Sequence, residues 1–146
     1  MPPQREPANI GVAHGSWGEQ IAVEYLRIRG YVIVDRNTHP CRHDRRLEID
    51  IVAYDRKNDV MVFVEVKQHK SRSDYATRLR SIDRRKKRLL RTACQAWMRR
   101  NKWAGARRFD VIEVYGSPEG GGSAEIDHIE RVRLFEVEDR FVNWSD

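Results

Sequence analysis

This 146-residue sequence contains little cysteine and no long apolar run, and acidic residues are rare in one part of it. The two cysteines, Cys41 and Cys94, are too few for a disulfide framework, which favours a reducing, cytoplasmic setting. No apolar run approaches membrane-spanning length, so no membrane partner is expected. The proline-rich residues 1–14 are expected to form a flexible tail before a single domain at 15–146.

Acidic residues are nearly missing from the stretch between Lys67 and Arg108. It contains 16 Lys and Arg against Asp74 and Asp83, a balance of +14, whereas the whole chain carries +6. A basic block on an otherwise acidic chain indicates a polyanion as partner. Nucleic acid is the expected one, because phosphate contacts dominate non-specific affinity. A well-solvated helix face is the alternative.

Two runs rich in β-branched and aromatic residues, 47–52 and 60–67, flank a turn-like segment, and the pattern predicts a β-hairpin. With a four-residue loop at 56–59, Asp50 lies opposite Glu65, and Glu48 lies opposite Lys67. A two-residue loop would shift the strands but keep these four side chains on one face.

Facing carboxylates destabilise a strand pair unless something compensates their charge. Converging acidic oxygens are what a hard divalent cation such as Mg²⁺ requires, and a neighbouring lysine can orient water or neutralise phosphate charge. Cross-strand salt bridges on a solvated sheet face are the alternative interpretation.

Two helices are predicted on either side of this hairpin. Ser16 and Glu19 fit a capping box for the first, which ends near Gly30. Glu19 therefore has capping as one explanation and a role at the metal site as another. The second helix is predicted from Ser81 to Lys102, with Lys86 on its apolar stripe, where it either snorkels past the core or reaches the acidic face.

The remaining pattern predicts strands at 31–35, 108–115 and 126–132, a loop at 37–46, a glycine-rich loop at 118–123 and a terminal helix from Leu134. His39, Cys41 and His43 do not predict zinc, since no second ligand pair follows them. This order of elements implies an α/β fold with a mixed central sheet flanked by helices.

Five short motifs, in this order, resemble the YraN family. They are Gly18-Glu19, Gly30-Tyr31, Glu48-Ile49-Asp50, Val62-Phe63-Val64-Glu65-Val66-Lys67 and Arg108-Phe109-Asp110-Val111. That family is similar to archaeal Holliday-junction resolvases within the restriction-endonuclease-like, PD-(D/E)xK superfamily. The chain departs from the family pattern at Leu47, where glycine is usual, and at His69, where a basic residue is usual.

The resemblance implies a restriction-endonuclease-like fold and an Mg²⁺-dependent endonuclease, with Mn²⁺ as a substitute, acting on DNA that includes branched or structured forms. It implies that Asp50, Glu65 and Lys67 are catalytic together with the helical Glu19, and that Asp50, Glu65 and Glu19 bind the metal. Phosphate contacts are expected from the polar connector at 68–74, which follows the hairpin, and from the basic helix. The residues are His69, Arg84, Arg85, Lys86, Lys87, Arg88 and Arg91.

Two other classes of function stay open at this point. A nucleic-acid-binding module could keep the fold without cutting, although it would have no reason to retain all four candidate catalytic residues. An interaction adaptor using the acidic segment 136–139 has only a charge run in its favour. A homodimer is expected if two strands are cut symmetrically.

Overall fold

The computed structural model describes residues 17–71, 84–120 and 123–135. The flexible tail predicted at 1–14, the capping residue Ser16, the predicted helix start at 81–83 and the acidic segment 136–139 all lie outside these ranges. Most of the predicted terminal helix does so too. The fold and the site below are built from the described residues alone.

The central feature is a five-stranded sheet in the order β1-β2-β3-β4-β5. Only β3 and β4 are parallel, and the other neighbouring strands are antiparallel. The predicted α/β fold with a mixed central sheet flanked by helices is therefore confirmed. Its described elements, in chain order, are α1 (Trp17–Ile28), β1 (Tyr31–Thr38), β2 (Ile49–Asp55), β3 (Val60–His69), α2 (Arg84–Arg100), β4 (Ala106–Tyr115) and β5 (Glu125–Ile129).

The two helices cover different hydrophobic clusters of the sheet. Ala22, Val23 and Leu26 of α1 pack on one cluster of strand residues, while Trp97 and Met98 belong to the other. Strands covered in this way bury both alternating sets of side chains. This explains why β2 to β4 are apolar over most of their length.

The β2–β3 hairpin is closed by a turn of four residues, 56–59, which is one of the two loop lengths considered from the sequence. Asp55 is the last residue of β2 and pairs with Val60, the first of β3. Asn58 donates from its backbone amide to Asp55 Oδ1 and from Nδ2 to Asp55 Oδ2. Asp59 has a φ of 55°, a conformation that Asp tolerates better than most residues. This local chemistry fixes the register of the hairpin.

Several predicted boundaries were wrong, among them those of β1, β5 and the predicted terminal helix. β1 continues to Thr38, where a loop was predicted, because its polar end pairs with β2 as far as Thr38 with Ile49. β5 ends at Ile129 instead of 132, since Arg131 takes a positive φ of 57°. At the start of the predicted terminal helix, Leu134 is buried without helical structure.

Candidate active site

At its open end, the β2–β3 hairpin brings two carboxylates together. The register pairs Ile51 with Val64, so Asp50, one residue earlier, lies opposite Glu65. The backbone amide of Val66 donates to Asp50 Oδ2 at 2.9 Å. The strand pairing thus agrees with the placement predicted from the turn length.

Two lysines converge on the same carboxylate oxygen. Lys67 Nζ lies 3.5 Å from Glu65 Oε1, and Lys86 Nζ of α2 lies 3.0 Å from the same atom. The Glu65 side chain is only 9% exposed, so this charge is held largely away from water. Of the two expectations for Lys86, the contact favours the one in which it reaches the acidic face.

The surroundings of Asp50 disfavour the charged form of its side chain. Burial and the charge of Glu65 raise the pKa of Asp50 to about 8, although the hydrogen bond from Val66 acts in the opposite direction. Burial and the neighbouring Lys86 lower the pKa of Lys67. Burial opposes the charged form of Lys86, but its contacts with Lys67 and Glu65 leave its pKa raised. Burial and the neighbouring Glu65 therefore disfavour the charged form of Asp50 while the site is without a cation.

Helix α1 brings Glu19 to the edge of this cluster. Gln68 of β3 accepts a hydrogen bond at 2.9 Å from the backbone amide of Gly18. A Cβ at Gly18 would lie 2.7 Å from Gln68 Oε1, so glycine permits this close approach. Glu19 Oε2 accepts a hydrogen bond at 2.8 Å from Asn37 Nδ2, which also donates to Glu48 Oε1 at 3.3 Å.

Oxygen donors around Asp50 and Glu65 fit a hard divalent cation such as Mg²⁺. The two carboxylates lie at facing positions, and burial together with the charge of Glu65 raises the pKa of Asp50, a cost that a bound cation would relieve. In addition, Asn37 Oδ1 is buried and has no hydrogen-bond partner among the described residues. Asn37 was missed by sequence reasoning, which assigned it to a loop.

Next to the carboxylates, a cavity of about 320 Å³ connects the site to the basic helix. Arg85 and Lys86 of α2 line it together with Asp50 and Glu65. A second cavity, of about 520 Å³, is lined by the cations Arg84, Lys87, Arg88, Arg91 and Arg133. Among these, Arg133 was missed because it lies far from α2 in sequence. The predicted basic residues of α2 are thus divided between a cavity that contains the carboxylates and a second cavity that is lined mainly by cations.

His69 does not lie on this basic surface. Its side chain is 8% exposed, stacks on the Tyr115 ring and places Nε2 3.3 Å from Glu113 Oε1. The parallel register explains this burial, since it pairs His69 with Tyr115. A phosphate contact by His69 stays a prediction, and its ring would have to leave these partners to make one.

A second group of possible metal ligands is formed by residues of β4, of β5 and of the segment just after β5. Asp110, His128 and Glu130 present ligand atoms within 4.8 Å of one another, so this group could hold a metal ion. However, Arg108 already donates to Asp110 at 3.0 Å and to Glu130 at 3.0 Å. The contact with Arg108 and hydrogen bonds from His128 and Arg131 overcome the effect of burial and lower the pKa of Asp110. The guanidinium therefore provides the positive charge of this cluster.

The fold and these contacts define a class: an α/β domain with a mixed sheet that carries a buried carboxylate–lysine cluster beside a basic helix. No helix in the described ranges is long and apolar enough to cross a membrane.

Residues 18–114 match the family model described as "Uncharacterised protein family UPF0102". Curated UPF0102 proteins are similar along most of the chain. The relative from Mycobacterium tuberculosis strain H37Rv is 35% identical over 121 residues, covering 81% of this chain and 90% of its own length. The relative from Pelobacter propionicus is 38% identical over 124 residues, covering 84% and 82%. The relative from Alkaliphilus oremlandii is 40% identical over 106 residues, covering 68% and 82%. The chain belongs to the UPF0102 family, which is the YraN family that the motifs resemble.

Proposed function

We propose that this chain is a metal-dependent nuclease that hydrolyses phosphodiester bonds in DNA, including branched or structured DNA. The observation that carries the proposal is the opposition of Asp50 and Glu65 on one hairpin, with Lys67 and Lys86 both at Glu65. The cost of gathering these charges is evident in the pKa of Asp50, raised to about 8 by burial and Glu65. Strongly perturbed ionisable groups are typical of functional sites.

The residues of this cluster divide the chemistry among themselves. Asp50 and Glu65 would hold Mg²⁺, or Mn²⁺ in its place, with Glu19 close by. The bound ion would lower the pKa of a water molecule and offset negative charge on the phosphate. Lys67 would orient the attacking water and offset charge that develops on the phosphate oxygens. Burial lowers the pKa of Lys67, which makes its proton easier to donate or share.

Helix α2 supplies the binding surface in this proposal. Arg84, Arg85 and Arg88 are exposed, and Arg85 and Lys86 line the cavity that contains the carboxylates. A polyanion lying along α2 would therefore pass the catalytic cluster. Contacts of this kind bind the sugar–phosphate backbone and carry little sequence information, so we expect a preference for DNA structure over sequence.

A non-catalytic nucleic-acid-binding module is the second candidate. One observation favours it: Lys67 and Lys86 both lie within 3.5 Å of Glu65, so two ammonium groups already compensate this carboxylate. Asp50 nevertheless keeps a raised pKa, because burial and the charge of Glu65 disfavour its charged form. A bound divalent cation would relieve that cost, which is the reason for placing the nuclease first.

The test is a cleavage assay on end-labelled DNA duplexes, four-way junctions, flaps and single strands, with an RNA strand for comparison. Each is incubated with Mg²⁺, Mn²⁺ or a chelator. We expect cleavage of at least one DNA structure with metal and none with chelator. Glu65→Gln keeps the size of the side chain but removes its charge, and it should abolish cleavage while DNA binding persists.

A matched control is Glu24→Gln, which replaces an exposed glutamate of α1. It should cut as the wild type does. Binding without cleavage of any substrate in the panel would refute the nuclease and support the binding module.

A further inference from the structure

Asn37 occupies an unusual backbone position beside the carboxylate cluster. Its φ is +46°, in the left-handed region that asparagine tolerates better than most residues. The register of β1 with β2 pairs Arg36 with Ile51 and Thr38 with Ile49. Asn37 therefore lies beside Asp50, which in turn lies opposite Glu65. Asn37 of β1, Asp50 of β2 and Glu65 of β3 therefore occupy facing positions on three neighbouring strands.

The side-chain amide of Asn37 joins two other acidic residues. Its Nδ2 donates to Glu19 Oε2 at 2.8 Å and to Glu48 Oε1 at 3.3 Å. An amide NH₂ group carries two hydrogens, so it can serve both carboxylates at once. Glu19 belongs to α1 and Glu48 directly precedes β2. The side chain of Asn37 therefore connects α1 to the segment that leads into β2.

Asn37 Oδ1 is buried and has no hydrogen-bond partner among the described residues. A buried amide oxygen without a donor costs free energy, which makes it a feature that needs an explanation. Glu19 and Glu48, the two carboxylates that the side chain of Asn37 contacts, accept hydrogen bonds from its Nδ2 and do not satisfy its Oδ1. A bound cation, or a water molecule bound to the cation, would satisfy it.

We propose that Asn37 is a positioning residue that holds Glu19 and Glu48 around the metal site through its amide group. This inference rests on the proposed function, because it assumes that Asp50 and Glu65 bind a divalent cation. Partners that orient metal ligands commonly contribute 10–100-fold to metal affinity. We expect a contribution of that size from Asn37.

The test is calorimetric titration of the protein with Mn²⁺, which needs no substrate and no turnover. Asn37→Gly removes the side-chain amide, and glycine adopts the positive φ of this position without strain. The dissociation constant for Mn²⁺ should rise 10–100-fold. Asn101→Ala is the matched control, because Asn101 also donates from Nδ2, at 2.9 Å to the backbone carbonyl of Trp97, but just after the end of α2. Its Mn²⁺ affinity should stay within about twofold of wild type.

A double-mutant cycle tests whether Asn37 acts through Glu19. Glu19→Ala should weaken Mn²⁺ binding by itself, because it removes a negative charge and also the acceptor of the Asn37 hydrogen bond. In that background Asn37→Gly should cause a clearly smaller loss than in the wild type, since residues that act together are not additive. Equal losses in both backgrounds would overturn the proposed link.

The outcomes separate this inference from the proposed function. If Asn37→Gly binds Mn²⁺ as the wild type does and only melts at a lower temperature, the role of Asn37 is structural and the inference is overturned. If wild-type protein binds Mn²⁺ and Asn37→Gly loses affinity, but no nucleic acid is cut, the inference stands and the nuclease fails. Absence of Mn²⁺ binding by wild type overturns both.

Discussion

Replacing Asp50 by asparagine should make the metal-free protein more stable, although it destroys a proposed metal ligand. The pKa of Asp50 is raised from 3.8 to about 8, chiefly by burial and by the charge of Glu65. Asparagine has nearly the same shape and carries no charge. Its Oδ1 can still accept the hydrogen bond from Val66, and its Nδ2 can donate to Glu65.

The sign follows from linkage between protonation and folding. The unfolded chain releases the Asp50 proton near pH 3.8, whereas the folded chain retains it to about pH 8. Asp50 therefore costs nothing below pH 3.8, and its cost grows as pH rises to about 8. The full shift corresponds to on the order of 5 kcal/mol. For a domain of this size, the expected rise in melting temperature is roughly 10–20 °C at pH 8.

Thermal melts from pH 4 to pH 9, with chelator or with excess Mg²⁺, measure this effect. In chelator, wild type and Asp50→Asn should melt together near pH 4 and diverge up to pH 8. Mg²⁺ should stabilise wild type and leave the variant unchanged, because a ligand that binds only the folded state stabilises it. The control Asp59→Asn, in the exposed hairpin turn, should differ little from wild type. A variant that melts at or below wild type at pH 8 in chelator would refute the reasoning.

Other predictions concern the basic surface and the metal. The first variant replaces Arg84, Arg85 and Arg88, three exposed cations of α2, by glutamine. It should weaken DNA binding and reduce the slope of log affinity against log salt concentration by about 3. An unchanged slope would mean that the helix is merely solvated. Arg133→Gln should reduce the slope by about 1, whereas the control Lys57→Gln, in the exposed hairpin turn, should leave it unchanged. Mn²⁺ affinity should rise from pH 6 to pH 8 and then level off, because binding displaces the Asp50 proton. A flat affinity between pH 6 and pH 8 would contradict that proton release.

Much of the carboxylate–lysine cluster could be predicted because it depends on local periodicity. The two-residue repeat of β-strands places Glu65 and Lys67 on one face, and the turn length sets Asp50 opposite Glu65. Helical spacing placed Lys86 on the apolar stripe of α2, and it does contact Glu65. Each of these inferences needed only neighbouring residues or one short turn.

The features that were missed depend on contacts between distant segments. Asn37 follows no apolar alternation, and its assignment to β1 requires the pairing with β2. The burial of His69 depends on the parallel neighbour β4, which begins after the intervening helix. Arg133 meets the α2 cations only because the chain returns past β4 and β5. Such pairings leave no periodic signal in the residues themselves.

The central claim is that the cluster performs chemistry and does not only bind DNA, and Lys67 tests it most directly. Lys67 is one of 28 Lys and Arg, so its share of the general attraction for phosphate is small. Single-turnover cleavage at saturating protein should therefore fall on the order of 10²–10³-fold in Lys67→Ala, with nearly unchanged DNA affinity. A variant that cuts at the wild-type rate would contradict the account.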